Sequence, residues 1–239
     1  YMSADGPNMS RKLYQLDQRF NVLYRLIVGS PGSFSVECAD DGAVPRRIEL
    51  PAIPLSELEG ILPPPEAKIA APALSSSFTD EGVGVLRIRS FNSYDPASRA
   101  GYEAAFESFF SSIAGRGSPG LVLDLRGNGG GDPVSSACLF SYLIDAPHPY
   151  FEKGDGYPYL VSPVQPSPLA FKGRGVVLID GGCFSTTGHL VALLKYHGIC
   201  RFVGETSGAT FSCTDDSRTM YLPRTRMAFR YSTREYAAA

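Results

Sequence analysis

The sequence lacks an excess of positive charge and any long apolar run. Its 239 residues carry a formal net charge of −2, so no basic field favours nucleic acid as a partner. No apolar stretch approaches the roughly 18 residues that a transmembrane helix needs, and we predict no transmembrane segment. Hydrophobic residues make up 44% and charged residues 19%, as in globular proteins. The length therefore allows one large or two small domains with ample core.

Metal-binding spacing is also missing. The five cysteines show no Cys-x-x-Cys pair, so we predict no metal site, and no motif indicates a cofactor. Cys138, Cys183 and Cys200 lie in apolar surroundings and are predicted to be small core residues. No signal-peptide pattern opens the sequence, and its start at Tyr1 suggests a chain trimmed at that end.

The stretch from 121 to 144 combines a short apolar run, a glycine cluster and a helical pattern. Leu121 to Leu125 predicts a buried strand, and Pro133 suits the first position of a helix that runs to Ile144. A strand, a glycine-rich turn and a helix N-terminus present free backbone N–H groups. The sequence therefore predicts an anion-binding turn at this point.

A second stretch, from 176 to 196, has the same order: an apolar strand, two glycines and a helix from Ser185 to Tyr196. A serine at a helix start is most often a cap. If both strands are parallel neighbours in one sheet, however, Ser185 lies within roughly 8 Å of the 129–131 backbone. That arrangement is typical of a nucleophile beside an oxyanion hole.

Three segments in this order carry a family resemblance. They are Asp-Leu-Arg-Gly-Asn-Gly-Gly-Gly at 124–131, Gly-Gly-Cys-Phe-Ser-Thr-Thr at 181–187 and Phe-Val-Gly-Glu-Thr at 202–206. Together they resemble the C-terminal processing (tail-specific) peptidase family, which includes the tricorn protease core and retinoid-binding relatives. The resemblance is closer to the tricorn-core-like branch than to the Ser–Lys branch.

This resemblance implies an α/β fold with a crotonase-like (ClpP/crotonase) core at 81–239. A helix and a hairpin in 1–55 resemble part of a PDZ-like module, and the proline-rich stretch 56–80 is predicted to be a linker. The family resemblance also implies a location in the bacterial cell envelope, periplasmic or secreted. Periodicity predicts the remaining elements: helices at 11–28 and 95–114, strands at 34–38, 45–50, 82–91 and 200–204, a hairpin of 218–222 with 226–231, and an irregular, aromatic-rich loop at 145–173.

By the same resemblance, Ser185 is the nucleophile of a serine endopeptidase that cleaves extended peptides or protein C-termini. The backbone N–H of Thr186 and that of Gly131, or else of Gly130, would form the oxyanion hole. The expected partner is a peptide or protein substrate. The oligomeric state stays open.

The general base is harder to assign. Thr210 stands where the Ser–Lys branch has its lysine, and Lys195 and Lys172 are the alternatives. The tricorn-like branch instead uses a histidine that precedes the core and an acid near the C-terminal end. The most economical expectation places the base on a segment before Tyr1 and the acid beyond Ala239.

Two of the three histidines are candidates within the chain. His189 follows Ser185 by one helical turn and shares its helix face, and His148 borders the irregular loop. Glu205 and Glu235 are the candidate acids. An inactive ligand- or peptide-binding protein on the same scaffold is the main alternative function. A crotonase-type acyl-CoA enzyme is a third, but it needs no serine at 185.

Overall fold

The computed structural model describes residues 6–39, 42, 44–54, 56–57 and 72–239. The chain divides into a large unit, Tyr1–Asp17 with Pro72–Ala239, and a small unit, Gln18–Ala71. Residues 58–71, most of the predicted linker, lie outside the described residues. Within the described part, no helix is long and apolar enough to cross a membrane.

Helix α1 (Met9–Ile27) begins in the large unit and ends in the small one. Arg19 interrupts it, with φ −135° and ψ 19°, close to the division between the units. In the small unit, β1 (Ser33–Cys38) pairs antiparallel with β2 (Arg46–Pro51). The helix and hairpin predicted from periodicity are therefore confirmed, each within two residues.

The large unit is built on a five-stranded sheet in the order β10-β9-β5-β4-β3. Its strands are β3 (Leu74–Phe78), β4 (Gly84–Ile88), β5 (Gly120–Asp124), β9 (Arg174–Ile179) and β10 (Arg201–Gly204). Strands β4, β5, β9 and β10 are parallel, and β3 is antiparallel to β4. Strands β5 and β9 are direct neighbours, as predicted. Strand β3 lies within 56–80, where proline-rich composition had indicated a linker.

Helix α2 (Pro96–Arg116) follows β4 and covers the sheet with an aromatic stripe. Asp95 accepts a hydrogen bond from Ser98 N–H at 2.9 Å, and Gly117 ends the helix at φ 61°. The stripe is buried, as its spacing predicted: Tyr102, Phe106, Phe109, Phe110 and Ile113. Two shorter helices, α3 (Pro133–Ser141) and α4 (Thr186–Tyr196), follow β5 and β9 and contact each other.

A second, antiparallel sheet was not predicted. It has the order β11-β14-β7, with β11 (Ser212–Asp215), β14 (Arg234–Ala238) and β7 (Phe151–Gly154). Strand β7 lies within 145–173, a stretch predicted to be irregular because of its prolines. That stretch also holds β6 (His148–Pro149), β8 (Pro163–Val164) and a 3-10 turn (Pro158–Leu160). The predicted hairpin is confirmed as β12 (Arg218–Tyr221) and β13 (Ala228–Tyr231).

We expect Phe110→Ala to lower the free energy of unfolding by about 3–5 kcal/mol, because truncating a buried aromatic ring leaves a cavity. Phe110 is 0% exposed and stacks on Tyr142, with a centroid distance of 4.6 Å. Urea denaturation measures the change. Phe229→Ala is the control: Phe229 is 54% exposed, so its truncation should change stability far less. Equal losses in the two variants would contradict the assignment of the core to this stripe.

Candidate active site

Two turns meet where β5 and β9 end, and the carboxylate of Asp180 connects them. Its Oδ1 accepts hydrogen bonds from the N–H of Gly127 at 2.9 Å and from the N–H of Gly182 at 2.8 Å. A third bond joins the turns directly, from Phe184 N–H to the Asn128 carbonyl at 3.1 Å. The two turns are thus fixed to each other at the carboxyl edge of the sheet.

Close backbone approach places Ser185 against the first turn. A Cβ built on Gly130 would lie 2.7 Å from the Phe184 carbonyl oxygen and 2.9 Å from Ser185 Cβ. Only glycine fits at a contact this short, and Gly130 also has φ 98°. The predicted proximity of Ser185 to the 129–131 backbone is therefore confirmed.

The neighbouring Gly131 fixes this turn to the segment after β4. Its φ is 142°, and a Cβ there would clash with the Phe91 carbonyl group. On either side, Phe91 N–H donates to the Gly130 carbonyl at 3.0 Å, and Asp132 N–H donates to the Phe91 carbonyl at 2.7 Å. These bonds use the backbone groups on either side of Gly131 and not its own N–H.

The two glycines differ in the state of their N–H groups. Gly130 N–H donates to Asn128 Oδ1 at 2.9 Å, while the side-chain amide of Asn128 donates to the Ile88 carbonyl at 3.1 Å. For Gly131 N–H, no hydrogen bond to any described residue is formed. Of the two oxyanion-hole candidates, Gly131 is therefore the one whose N–H is available to a ligand.

Ser185 has the backbone of a strained turn and not of an ordinary helix cap. Its φ is 54° and its ψ is −129°, and its side chain makes no capping hydrogen bond. Non-glycine residues rarely adopt such angles, and where they occur they cluster at functional sites. The next hydroxyl, that of Thr186, donates to the Gly131 carbonyl at 2.6 Å, which ties the start of α4 to the glycine turn.

Ser185 opens into a cleft of about 380 Å³. The first turn and the start of α4 form one wall, and the antiparallel sheet with nearby loops forms the other. Besides Ser185, the lining residues are Tyr94, Gly131, Pro133, Phe151, Gly156, Tyr157, Thr186, His189, Cys213, Asp215, Asp216, Arg234 and Tyr236. In the part of the chain that the structure describes, no group of acidic, cysteine and histidine residues is arranged to hold a metal ion.

His189 lines the same cleft but is only 2% exposed. Its Nε2 lies 3.5 Å from Cys213 Sγ, and the edge of its ring meets the Phe151 ring at a centroid distance of 5.2 Å. Its Nδ1 is buried and has no hydrogen-bond partner among the described residues. Burial lowers the pKa of His189 to about 4. The imidazole is therefore neutral near pH 7, and no hydrogen bond joins it to the side chain of Ser185 in the described structure.

The other candidate bases and acids lie away from this cleft. His148 packs on His197, with a centroid distance of 4.0 Å, and Glu205 is exposed after β10. Lys195 Nζ lies over the Phe202 ring at 5.9 Å. None of these residues, and no lysine within the described ranges, lines the cleft. The acid candidate Glu235 forms an exposed ion pair with Lys153 at 2.8 Å.

Thr210 donates a hydrogen bond through Oγ1 to the Ser212 carbonyl at 2.7 Å. Its own carbonyl oxygen lies 3.5 Å from the position of a Cβ built on Gly188, in the first turn of α4. Thr210 is thus close to the helix that Ser185 opens, although it does not line the cleft. Its correspondence to the lysine position of the Ser–Lys branch stays a prediction.

The first turns of α1 pack against the far side of the two turns. Arg11 Nη1 donates to the Gly182 carbonyl at 3.3 Å, and its guanidinium lies 4.6 Å from the centroid of the Phe184 ring. A Cβ on Gly182 would lie 2.7 Å from Tyr14 Cζ. Sequence analysis missed these contacts because the helical pattern of 11–28 shows an apolar face but not what that face covers.

Sequence analysis also missed most of the second wall. Tyr94, after β4, and Asp216, after β11, line the cleft from loops. Asp215, Arg234 and Tyr236 reach it because β11 pairs with β14 and β14 pairs with β7. Each of these strands has only four or five residues and no clear alternation, so no local signal marks them. The aromatics of 145–173 were a better guide: Phe151 and Tyr157 line the cleft, as one of the two interpretations of that segment predicted.

The fold and this cleft define an α/β enzyme-like domain with a serine at a sharp turn between strand and helix. The sequence profile of peptidase family S41 matches residues 82–237. The chain therefore belongs to peptidase family S41. A comparison with curated protein sequences gave no significant match.

Solved structures of similar fold include a processing protease and mature CPAF. The photosystem II D1 C-terminal processing protease is 17% identical with a TM-score of 0.52; the match covers 90% of this chain and 54% of that one. Mature CPAF is 13% identical with a TM-score of 0.51; the match covers 87% of this chain and 58% of that one. At these identities the likeness concerns the fold, and this chain spans little more than half the length of either structure.

We expect Asp180→Ala to lower the free energy of unfolding by about 1–3 kcal/mol, because the Gly127 and Gly182 N–H groups lose their acceptor. The matched control is Asp180→Asn, which keeps an oxygen at the same place and should lose clearly less. Urea denaturation of both variants provides the measurement. Equal losses would show that the two hydrogen bonds do not hold the turns together.

We also expect His189 to make stability depend on pH. An unfolded histidine has a pKa of about 6.5, whereas burial lowers the pKa of His189 to about 4 in the folded chain. Between these values the unfolded chain binds a proton that the folded chain does not. The contribution of His189 is thus complete above about pH 6.5 and is lost as the pH falls towards about 4.

The comparison of the wild-type chain with His189→Gln isolates this contribution from that of the carboxylates. On going from about pH 7 to about pH 4.5, the wild-type chain should lose about 2 kcal/mol more of its free energy of unfolding than the variant does. Denaturation curves at the two pH values measure the difference. An identical loss in both proteins would mean that His189 is not buried in its neutral form.

Proposed function

We propose that this protein is a serine endopeptidase that cleaves extended peptides or protein C-termini, with Ser185 as its nucleophile. The observation that carries this proposal is the backbone of Ser185, at φ 54° and ψ −129° with no capping bond, beside glycines that tolerate no side chain. A capping serine would need neither feature. Membership of family S41 agrees with this reading of the site.

In the proposed reaction, Ser185 Oγ attacks the carbonyl carbon of the scissile peptide. The carbonyl oxygen becomes an oxyanion that accepts hydrogen bonds from the N–H groups of Gly131 and Thr186. Gly130 N–H serves the turn instead, through its bond to Asn128. Since these donors belong to backbone held by Phe91 and Asp180, they are oriented before the substrate arrives.

The hydroxyl proton of Ser185 requires a general base. Among the described residues, none combines hydrogen-bond reach to Ser185 with a pKa suited to proton transfer near neutrality; His189 lines the cleft, but its pKa is about 4. We therefore assign the base to a residue outside those described. In consequence, we expect the described residues, without that base, to cleave peptides slowly or not at all.

The lack of a suitable base among the described residues also supports a second candidate function, an inactive binding protein on the peptidase scaffold. A cleft with a buried neutral histidine and no lysine can bind a peptide without cleaving it.

The proposal also includes a crotonase-like core for the large unit, a partial PDZ-like module for the helix and hairpin that precede it, and a location in the bacterial cell envelope. The parallel sheet with helices after its strands supports the crotonase-like core.

The two candidate functions differ in the behaviour of Ser185. With a peptidase, a fluorophosphonate probe should label Ser185 in the wild-type protein and should label neither Ser185→Ala nor Ser185→Gly. Intact-mass spectrometry with peptide mapping measures the adduct. If the probe labels another residue of the cleft, Ser185 is rejected as the nucleophile. The same holds if the probe labels no residue in a preparation that includes the base, and that result favours the binding protein.

Thermal unfolding of the same variants separates a strained nucleophile from a cap. Since Ser185 makes no capping bond, Ser185→Ala should leave stability nearly unchanged. Ser185→Gly should be stabilised by about 1 kcal/mol, because glycine relieves the strained backbone conformation. A cap would behave in the opposite way and lose about 1 kcal/mol on conversion to alanine.

A further inference from the structure

The second wall of the cleft carries an unbalanced negative charge. Its charged side chains are those of Asp215, Asp216 and Arg234. Arg234 Nε lies 3.1 Å from Asp216 Oδ2, so these two neutralise each other. Asp215 forms no ion pair with any described residue, although its backbone pairs with that of Arg234 across β11 and β14. The cleft is therefore left with one uncompensated carboxylate.

Nearby carboxylates do not alter this balance. Asp132, next to the glycine turn, is buried and bonded to Arg99 Nε at 2.5 Å, so its charge is compensated. Among the residues that the structure describes, Arg234 is the only cation in the lining, and Asp216 already pairs with it. A free carboxylate on a ligand would thus meet Asp215 and no available cation.

Aromatic rings line the same cleft as the uncompensated charge. Tyr94, Tyr157 and Tyr236 line the same wall, with 6.2 Å between the ring centroids of Tyr157 and Tyr236. Burial raises the pKa of Tyr94, and the charge of Asp215 raises it further, which places that ring within the field of the carboxylate. A carboxylate in a cleft lined by tyrosine rings is suited to a cation, through ion pairing and cation–π contact together.

The charge also lies close to the proposed nucleophile. Asp215 is two residues from Cys213 on β11, and Cys213 Sγ contacts the His189 ring one helical turn after Ser185. His189 Nδ1, on a ring that is only 2% exposed, has no partner among the described residues, so the cleft retains a buried polar atom that a ligand could satisfy. Asp215 is itself exposed at the mouth of the cleft, and the buried His189 ring lines the same cleft.

We propose that the cleft selects substrates through a cationic side chain, that of lysine or arginine, bound by Asp215 between the tyrosine rings. This inference rests on the proposed function, because it names the substrate class of the same cleft. It predicts cleavage within a chain near a basic residue. It also predicts weak binding of a free C-terminal carboxylate at this wall.

Matched probes test the selection on the intact protein. Two peptidyl phosphonates that differ only in lysine or norleucine at the recognition position react with the same serine, and norleucine keeps the length of the side chain without its charge. An exposed ion pair and one cation–π contact together predict that the lysine probe labels Ser185 about 10-fold faster. Added salt should reduce this ratio, because the pair is open to solvent.

Asp215→Asn should reduce the lysine-to-norleucine ratio to about 2, since the amide keeps the shape of the side chain but removes its charge. The control is Asp80→Asn, a change of the same kind at an exposed turn that does not line the cleft, and it should keep the full ratio. A ratio near one in the wild-type protein, or one unaffected by Asp215→Asn, overturns the inference while leaving Ser185 as the nucleophile.

A binding measurement separates failure of the inference from failure of the proposed chemistry. The Ser185→Ala protein cannot react, so its affinity for the lysine and norleucine peptide amides reports recognition alone, and isothermal calorimetry measures both. A lysine preference of about 10-fold, without labelling of a wild-type preparation that includes the base, supports the cation site and rejects the peptidase. Equal affinities for the two amides reject the cation site, whatever the labelling shows.

Discussion

The site depends on the contact between the backbone of Gly130 and the turn that carries Ser185. A Cβ built on Gly130 would lie 2.7 Å from the Phe184 carbonyl oxygen, so no side chain fits between the two turns. Neither turn can therefore move towards the other without displacing it. The Asp180 carboxylate maintains the contact from the side of the sheet, and the packing of Tyr14 and Arg11 closes it from the opposite side. The pairing of neighbouring parallel strands would by itself bring the two turns near each other. The contacts of Asp180, Tyr14 and Arg11 then fix the final distance between them. The strained backbone of Ser185 persists because its surroundings determine it.

Burial opposes reactivity at His189. The ring lies one helical turn after Ser185, where a base would be useful, yet the packing of Phe151 and Cys213 around it holds the neutral form. The same burial stabilises the junction of α4 with the antiparallel sheet at neutral pH. A group in this environment is better suited to shaping a cleft than to accepting a proton from a serine hydroxyl.

The cleft has two walls of different origin. The parallel sheet supplies Gly131, Ser185 and Thr186, mainly as backbone groups whose positions follow from strand order. The antiparallel sheet and adjacent loops supply tyrosines, aspartates and an arginine, all as side chains. Side chains on the second wall can change without disturbing the backbone donors of the first. Chemistry and selectivity are thereby separated in the fold, and the proposed preference for a cation belongs entirely to the second wall.

The sequence by itself determined the parallel sheet and the first wall. Apolar runs that end in glycines identify β5 and β9, and right-handed crossovers then bring Ser185 to the glycine turn, because parallel strands share a carboxyl edge. Only the tertiary structure decided the rest. Residues 151, 215 and 236 come to line one cleft through the pairing of three short strands, which carry no periodic signal. Likewise the pKa of His189 and the unpaired charge of Asp215 depend on burial and on distant partners, and local sequence encodes neither.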